Sequence, residues 1–194
     1  QGGLQIWDAY TQKVHTLLTD AKANAFSKLA FDGQNALYFM TADNTIEKWQ
    51  DGKPQETVYE APDDLRIVSF APGADGRWLV IQGWHVADGK MQYIKSLLFN
   101  MHDRQTVIDQ VPVRQREGGN TQRYLFAAQG NAIAFHETED NDNRVRVYPM
   151  DADGKLQQAR DYVVPGGIIW ARFSPDARHL FVRANNGLYH IDLR

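Results

Sequence analysis

The sequence predicts an all-β chain built of repeated antiparallel units, and three observations carry that prediction. The first is the stretch from Ile168 to Arg194, IIWARFSPDARHLFVRANNGLYHIDLR. An apolar run ends in Phe173, and the turn Ser174-Pro175-Asp176-Ala177 follows. A second run is Leu180-Phe181-Val182, and Asn185-Asn186-Gly187 leads to a third run ending Ile191-Asp192. Apolar alternation between turn residues is the signature of hairpin strands, so this is one three-stranded antiparallel unit. The second observation is an aromatic that closes a strand ahead of a turn. It occurs at Phe31 before Asp32-Gly33, at Phe70 before Ala71-Pro72-Gly73, at Phe126 before Gly130-Asn131, and at Phe173. Those aromatics are 39, 56 and 47 residues apart. The third is an apolar strand that ends near an acid: Leu4 to Asp8, Thr45 to Trp49 with Asp51, Ser96 to Met101 with Asp103, Arg144 to Met150 with Asp151, and Gly187 to Ile191 with Asp192.

The acids are 43, 52, 48 and 41 residues apart, so two independent markers share one period and keep one order. Between them lie short apolar strands at Ala36 to Met40, Trp78 to Ile81, Ala132 to Phe135 and Leu180 to Val182. A fourth strand follows most acids, at Lys13 to Leu18, Glu56 to Tyr59, Thr106 to Val111 and Gln157 to Val164. About four short strands per roughly 40 to 50 residues is the spacing of a β-propeller blade. Helical periodicity is nearly absent, and Thr19 to Ser27 reads as a loop between blades. A small four-stranded sheet cannot bury both faces alone. Radial packing of sheet on sheet does so and leaves only short edges.

These residues carry a family resemblance. Trp7-Asp8 followed by Thr11-Gln12-Lys13 resembles the Trp-Asp dipeptide and turn of WD40 repeats. Phe173-Ser174-Pro175-Asp176 resembles the F-S-P-D-G turn of WD40 and TolB-like propellers, with Ala177 in place of Gly. The Gly-His dipeptide of WD40 repeats is missing, so the chain is more similar to the TolB type. The resemblance implies a propeller or partial propeller of about four blades. It covers nearly the whole chain as a single domain, residues 1–194. The strand count is two, then twelve, then three. Either Leu4 to Leu18 closes a small ring, or the chain is the C-terminal part of a larger propeller; the second is favoured. An incomplete ring predicts unpaired strand edges, and with them self-association or closure by a missing segment.

Composition narrows the function. Hydrophobic residues make up 43% and charged residues 23% of the 194, as in an ordinary globular protein. Net charge is −3, which argues against a nucleic-acid partner. Cysteine is absent, which removes disulfides and thiolate metal sites without choosing a compartment. No apolar run reaches the length of a membrane-spanning helix. The chain opens QGGLQIWD without an initiator Met, which suggests a processed or shortened N-terminus.

No catalytic signature emerges, and the expectation is a non-enzyme. The four serines, Ser27, Ser69, Ser96 and Ser174, sit in no G-x-S-x-G elbow of the kind that follows a TolB-like propeller in prolyl oligopeptidase-type peptidases. No two of the six histidines have the spacing of a helical zinc site. His136 to Asn143 is the most polar stretch and offers oxygen ligands, but it lacks the Gly and Glu of a calcium loop and reads as a solvated hairpin tip. Asp8-Ala9-Tyr10-Thr11-Gln12 touches the D-x-x-T-G core of quinone-dependent dehydrogenase propellers without its Gly, so no cofactor is expected. Of five tryptophans, Trp7, Trp49, Trp78 and Trp170 read as packing between blades. Trp84, in Gly83-Trp84-His85, reads as the start of a loop reaching about Lys90.

Binding is therefore expected on loops. Long polar connections on a rigid scaffold are where recognition concentrates. The candidates are 19–25, 61–65, 84–91, 112–121 and 136–143, which propeller topology gathers on one face. The candidate contacts are Asp63, Asp64, Trp84, His85, Arg114, Arg116, Glu137, Glu139 and Asp140. Two arginines near Gly118-Gly119 suit a carboxylate or phosphate. The expected function is a protein- or peptide-binding or sensing module. The resemblance implies an envelope or periplasmic setting, the cytoplasm being the alternative, with no membrane insertion. The competing expectation is an accessory propeller of a larger peptidase or dehydrogenase whose catalytic part lies elsewhere.

Overall fold

Short alternating strands between tight turns satisfy their backbone groups most directly by pairing with the strand just before them. The computed structural model, which describes residues 4–18, 29–108, 124–126, 132–139, 142–174 and 176–194, follows that rule throughout. Strands β1 (Leu4–Asp8) and β2 (Lys13–Leu18) form a two-stranded sheet. Then come three four-stranded sheets. The first holds β3 (Leu29–Phe31), β4 (Leu37–Met40), β5 (Thr45–Trp49) and β6 (Glu56–Glu60). The second holds β7 (Leu65–Pro72), β8 (Trp78–Ala87), β9 (Lys90–Asn100) and β10 (Gln105–Ile108). The third holds β11 (Tyr124–Phe126), β12 (Ala132–Glu139), β13 (Asp142–Pro149) and β14 (Arg160–Val164). A last sheet of three strands, β15 (Ile168–Phe173), β16 (His179–Ala184) and β17 (Gly187–Asp192), ends the chain. Neighbours in sequence are neighbours in every sheet, and all pairs are antiparallel.

The sheets stack in chain order. Leu37 and Phe39 of β4 pack on Leu4, Ile6 and Leu17 of the first sheet. Tyr38, Met40 and Ile46 meet Leu79, Ile81 and Phe99 of the next sheet. Trp78, Val80 and Leu98 meet Ile133, Phe135 and Tyr148. Ala132, Ala134, Val145 and Val147 meet Leu180, Val182 and Ala184. Second strands thus bury alternate residues against opposite neighbours, which the two-residue period of a strand requires. The innermost strands also touch in succession, β3 to β7, β7 to β11 and β11 to β15. That is radial, blade-on-blade packing. No hydrophobic cluster of described residues joins the first sheet to the last.

Several readings need correction. Trp84 is not in a loop: β8 runs on to Ala87 and β9 begins at Lys90. Residues 136–143 are likewise mostly strand, since β12 reaches Glu139 and β13 starts at Asp142. In both cases cross-strand pairing carries polar residues past the blade body, which composition alone reads as loop. The fourth strand expected from Gln157 begins only at Arg160, because Gln157 N–H donates to Pro149 C=O instead. Trp78 is buried between sheets as expected. Trp7 and Trp170, however, are 66% and 43% exposed. They lie on the outward faces of the first and last sheets, against which no sheet of the described residues packs. The loop expected at 19–27 lies outside the described residues.

The repeated turns show why an acid follows the aromatic. Buried Asp32 accepts N–H donors from Gln34 and Ala36 and the Tyr38 hydroxyl, at 2.8, 2.9 and 3.0 Å. Asp176 repeats the motif, accepting from the Ser174 hydroxyl at 2.6 Å and the Arg178 N–H at 3.1 Å. These bonds, the Ser174 hydroxyl first, hold Asp176 below the usual carboxylate range. The turn needs a left-handed residue, which is Gly76 (φ 69°) in one copy and Ala177 (φ 55°) in another. Ala177 carries a strain of about 1 kcal/mol there, offset because its methyl is buried between the last two sheets.

Tyr38 gives this core a pH dependence. Burial pushes its hydroxyl well above the ordinary 10.0, and the adjacent Asp32 carboxylate adds to the effect. The folded state therefore holds the proton that the unfolded chain releases. Stability is complete below the ordinary value and falls as pH rises above it, by about 1.4 kcal/mol per pH unit. Urea midpoints measured from pH 8 to 11 should show this alkaline loss, and Tyr38→Phe should remove its share of the slope.

Candidate functional site

Among the described residues the β8–β9 hairpin is the longest, with strands of 10 and 11 residues. It closes in the two-residue turn Asp88-Gly89, with φ of 52° and 70°. Positive φ at both central residues defines the turn that matches the twist of a hairpin, and Asp-Gly is a preferred pair for it. The base of the hairpin belongs to the core, from Trp78↔Asn100 to Ile81↔Leu97. Its outer third does not. β7 stops pairing at Leu65↔His85, and past the neighbouring Val86 the sheet partner is β9. Met91 and Tyr93 are exposed on this projection.

Its root is pinned from three sides. Val86 N–H donates to Asp64 C=O at 2.7 Å. The Asp64 carboxylate lies 3.4 Å from His85 Nδ1, a close polar contact that makes no hydrogen bond. The His85 ring lies against its cross-strand partner Tyr93, with centroids 4.8 Å apart. Asn44, in the neighbouring turn, holds the start of β7 through Nδ2 to Leu65 C=O at 2.6 Å and Oδ1 from Ile67 N–H at 2.8 Å. Trp84 projects on the opposite face, beside Ile94, and is half-buried. One step deeper, the Gln82 side chain is buried and its Nε2 has no acceptor among the described residues. An unmet buried donor costs about 1–3 kcal/mol.

Of the residues expected from sequence, the fold brings Asp64 and His85 together, with Asp63 exposed beside them and Trp84 on the reverse of the same hairpin. Glu137 and Glu139 are placed on β12, in the adjacent sheet, paired with Arg144 and Asp142. Arg114, Arg116 and Asp140 lie outside the described residues. Sequence reading missed Met91 and Tyr93. The signal for them was Asp88-Gly89 flanked by alternating residues. Among the described residues, no group of three His, Cys, Asp or Glu is placed to hold a metal ion. No helix of the described residues is long and apolar enough to cross a membrane.

Solved structures place this architecture. TolB from Acinetobacter baumannii superposes with a TM-score of 0.62 at 13% identity, over 98% of this chain and 46% of its own. A protein of unknown function from Desulfotomaculum acetoxidans gives 0.62 at 14% identity, over 97% and 61%. A gluconolactonase from Xanthomonas campestris gives 0.57 at 15% identity, over 98% and 65%. No family model matches the chain, and no curated protein matches its sequence. The fold is a β-propeller, arranged as in TolB, and the chain spans about half the length of that protein. At these identities the likeness is one of fold.

Gly83 is what lets the long hairpin leave the blade. A Cβ there would meet the Arg66 carbonyl oxygen at 2.6 Å and Leu65 Cδ1 at 2.8 Å. Gly83→Ala should therefore push β7 from β8 at the Ile67/Ser69 bulge and cost about 1–3 kcal/mol in urea unfolding. Faster amide exchange at Val86, whose bond to Asp64 lies just beyond, would accompany it.

Proposed function

We propose that this chain is a non-enzymatic protein-binding module that meets its partner with the projecting β8–β9 hairpin. The observation that carries the reading is a well-anchored hairpin that exceeds what its blade needs. Its root is fixed by Asp64, His85 and Asn44, while Met91 and Tyr93 face solvent. A preordered hairpin loses little entropy on binding, and exposed aromatic and Met side chains supply the apolar contact of an interface. Trp84 on the other face suits an anchor role. Asp63 and Asp64 sit at the rim, where charge steers encounter more than it adds affinity. In this reading Glu137 and Glu139, on the neighbouring hairpin, extend the surface. In this reading the propeller serves as a rigid frame, and the TolB-like arrangement supports a cell-envelope setting.

The test is site-specific photocrosslinking from position 93 in the native host, with position 107 as a control on another edge. The expected result is one dominant adduct from 93 and none from 107. The identified partner should then bind Met91→Glu/Tyr93→Glu at least about tenfold more weakly, the loss of a single strong contact residue. Equal labelling from both positions, or unchanged affinity of the double variant, would remove the hairpin from the interface. Chemical turnover that tracks the hairpin variants would instead favour a propeller serving a larger enzyme.

A further inference from the structure

The root of the β8–β9 hairpin holds a ring nitrogen in an unfinished contact. His85 Nδ1 is shielded from solvent and makes no hydrogen bond among the described residues, although Asp64 Oδ2 lies 3.4 Å away. Both residues are held in place by other means. His85 pairs with Leu65 on one side and with Tyr93 on the other, and its ring lies against the Tyr93 ring at 4.8 Å. Asp64 accepts the Val86 N–H on its backbone carbonyl at 2.7 Å. Backbone pairing thus sets the imidazole beside the carboxylate, and the state of the ring decides what passes between them.

Imidazole is the side chain that changes charge between pH 5 and 8. A neutral ring with its proton on Nε2 sets two acceptors against each other at this contact. A charged ring sets an N–H donor and a positive charge against the carboxylate. The other charges around the ring are few among the described residues. Strand alternation puts Lys90 and Lys95 of β9 on the same face of the hairpin as His85 and Tyr93. The β7 residues of that face, Leu65 and Ile67, carry no charge. Asp63 precedes Asp64, and the neighbouring turn of the preceding sheet carries Asp43 beside Asn44. Asp64 is the charge in contact with the ring, so it sets the sign: protonation of His85 draws the two together.

We propose that His85 and Asp64 form a proton-operated clamp on the hairpin. As the medium turns acidic, Nδ1 takes up a proton from solvent, and the 3.4 Å contact closes into a charge-assisted hydrogen bond that stiffens the root. The clamp adds regulation to the binding reading above and rests on that reading for its use. A stiffer hairpin loses less entropy when it binds, so the partner is held more tightly in acid. The sign is that of a group whose charged form is favoured in the pinned state: the added stability is present at low pH and is lost as pH rises and the ring gives up its proton. The two side chains are 23% and 50% exposed, so the gain is that of a partly screened pair rather than a buried one.

The experiment uses the whole 194-residue protein without any ligand. Amide exchange is followed at pH 5.5 and 7.5 and expressed as protection relative to the unstructured chain, which removes the intrinsic effect of pH. Protection at Val86 should be about two- to fivefold higher at pH 5.5, with Ile81 in the buried part of the same strand unchanged as control. Asp64→Asn keeps the backbone acceptor of Val86, and His85→Gln keeps a polar side chain; each should abolish the pH response. Long-range 1H–15N spectra should show Nδ1 of His85 without a proton at pH 7.5 and with one at pH 5.5. Equal protection at both pH values, a response that survives in either variant, or an Nδ1 already protonated at pH 7.5 would overturn the clamp. Those results leave the crosslinking test at position 93 standing, and a failed crosslink leaves the clamp standing, so the two readings fall separately.

Discussion

Everything in this molecule depends on one geometrical fact: a strand points successive side chains to opposite sides. Second strands such as β4 exploit it by sending Leu37 and Phe39 one way and Tyr38 and Met40 the other. A sheet built on such a strand is insoluble by itself and needs a neighbour on each face. Stacking satisfies both demands with the same few residues, so each blade is the solvent shield of the next. The polar turns then have a secondary task, holding strand ends in register. Asp32 and Asp176 do this by collecting the N–H groups that the turns leave unpaired.

That division of labour explains which parts of the structure were legible in the sequence. Strand number and order follow from the spacing of Phe31, Phe70, Phe126 and Phe173 and of the acids behind the third strands, because turns and cores are local. The extension of β8 and β12 was not legible. Trp84, His85 and Glu137 are polar or amphipathic, and they stay in strand only because β9 and β13 pair with them. A tertiary hydrogen-bond ladder outranks composition there. The Asp88-Gly89 turn did carry the information, at the one place where two residues of positive φ are required.

The candidate site was half visible for the same reason. Asp64 and His85 are 21 positions apart in sequence, and only β7–β8 pairing makes them neighbours. Tryptophan was the least reliable guide. Trp78 and Trp170 occupy matching kinds of apolar run, yet one is buried and the other is not. The difference lies in whether another sheet covers the run, which no single stretch of sequence encodes. Exposure of Trp7 and Trp170 is a property of position in the row of sheets.

Stacking in single file also sets how the molecule comes apart. Among the described residues, each hydrophobic cluster between sheets joins neighbours in chain order, so cohesion is built from nearest-neighbour couplings. A sheet packed on both faces can open only by giving up two interfaces. The sheet of β7 to β10 is held in this way on both faces. The β8–β9 hairpin is rooted in that doubly held sheet, so the projection cannot tilt without disturbing two interfaces.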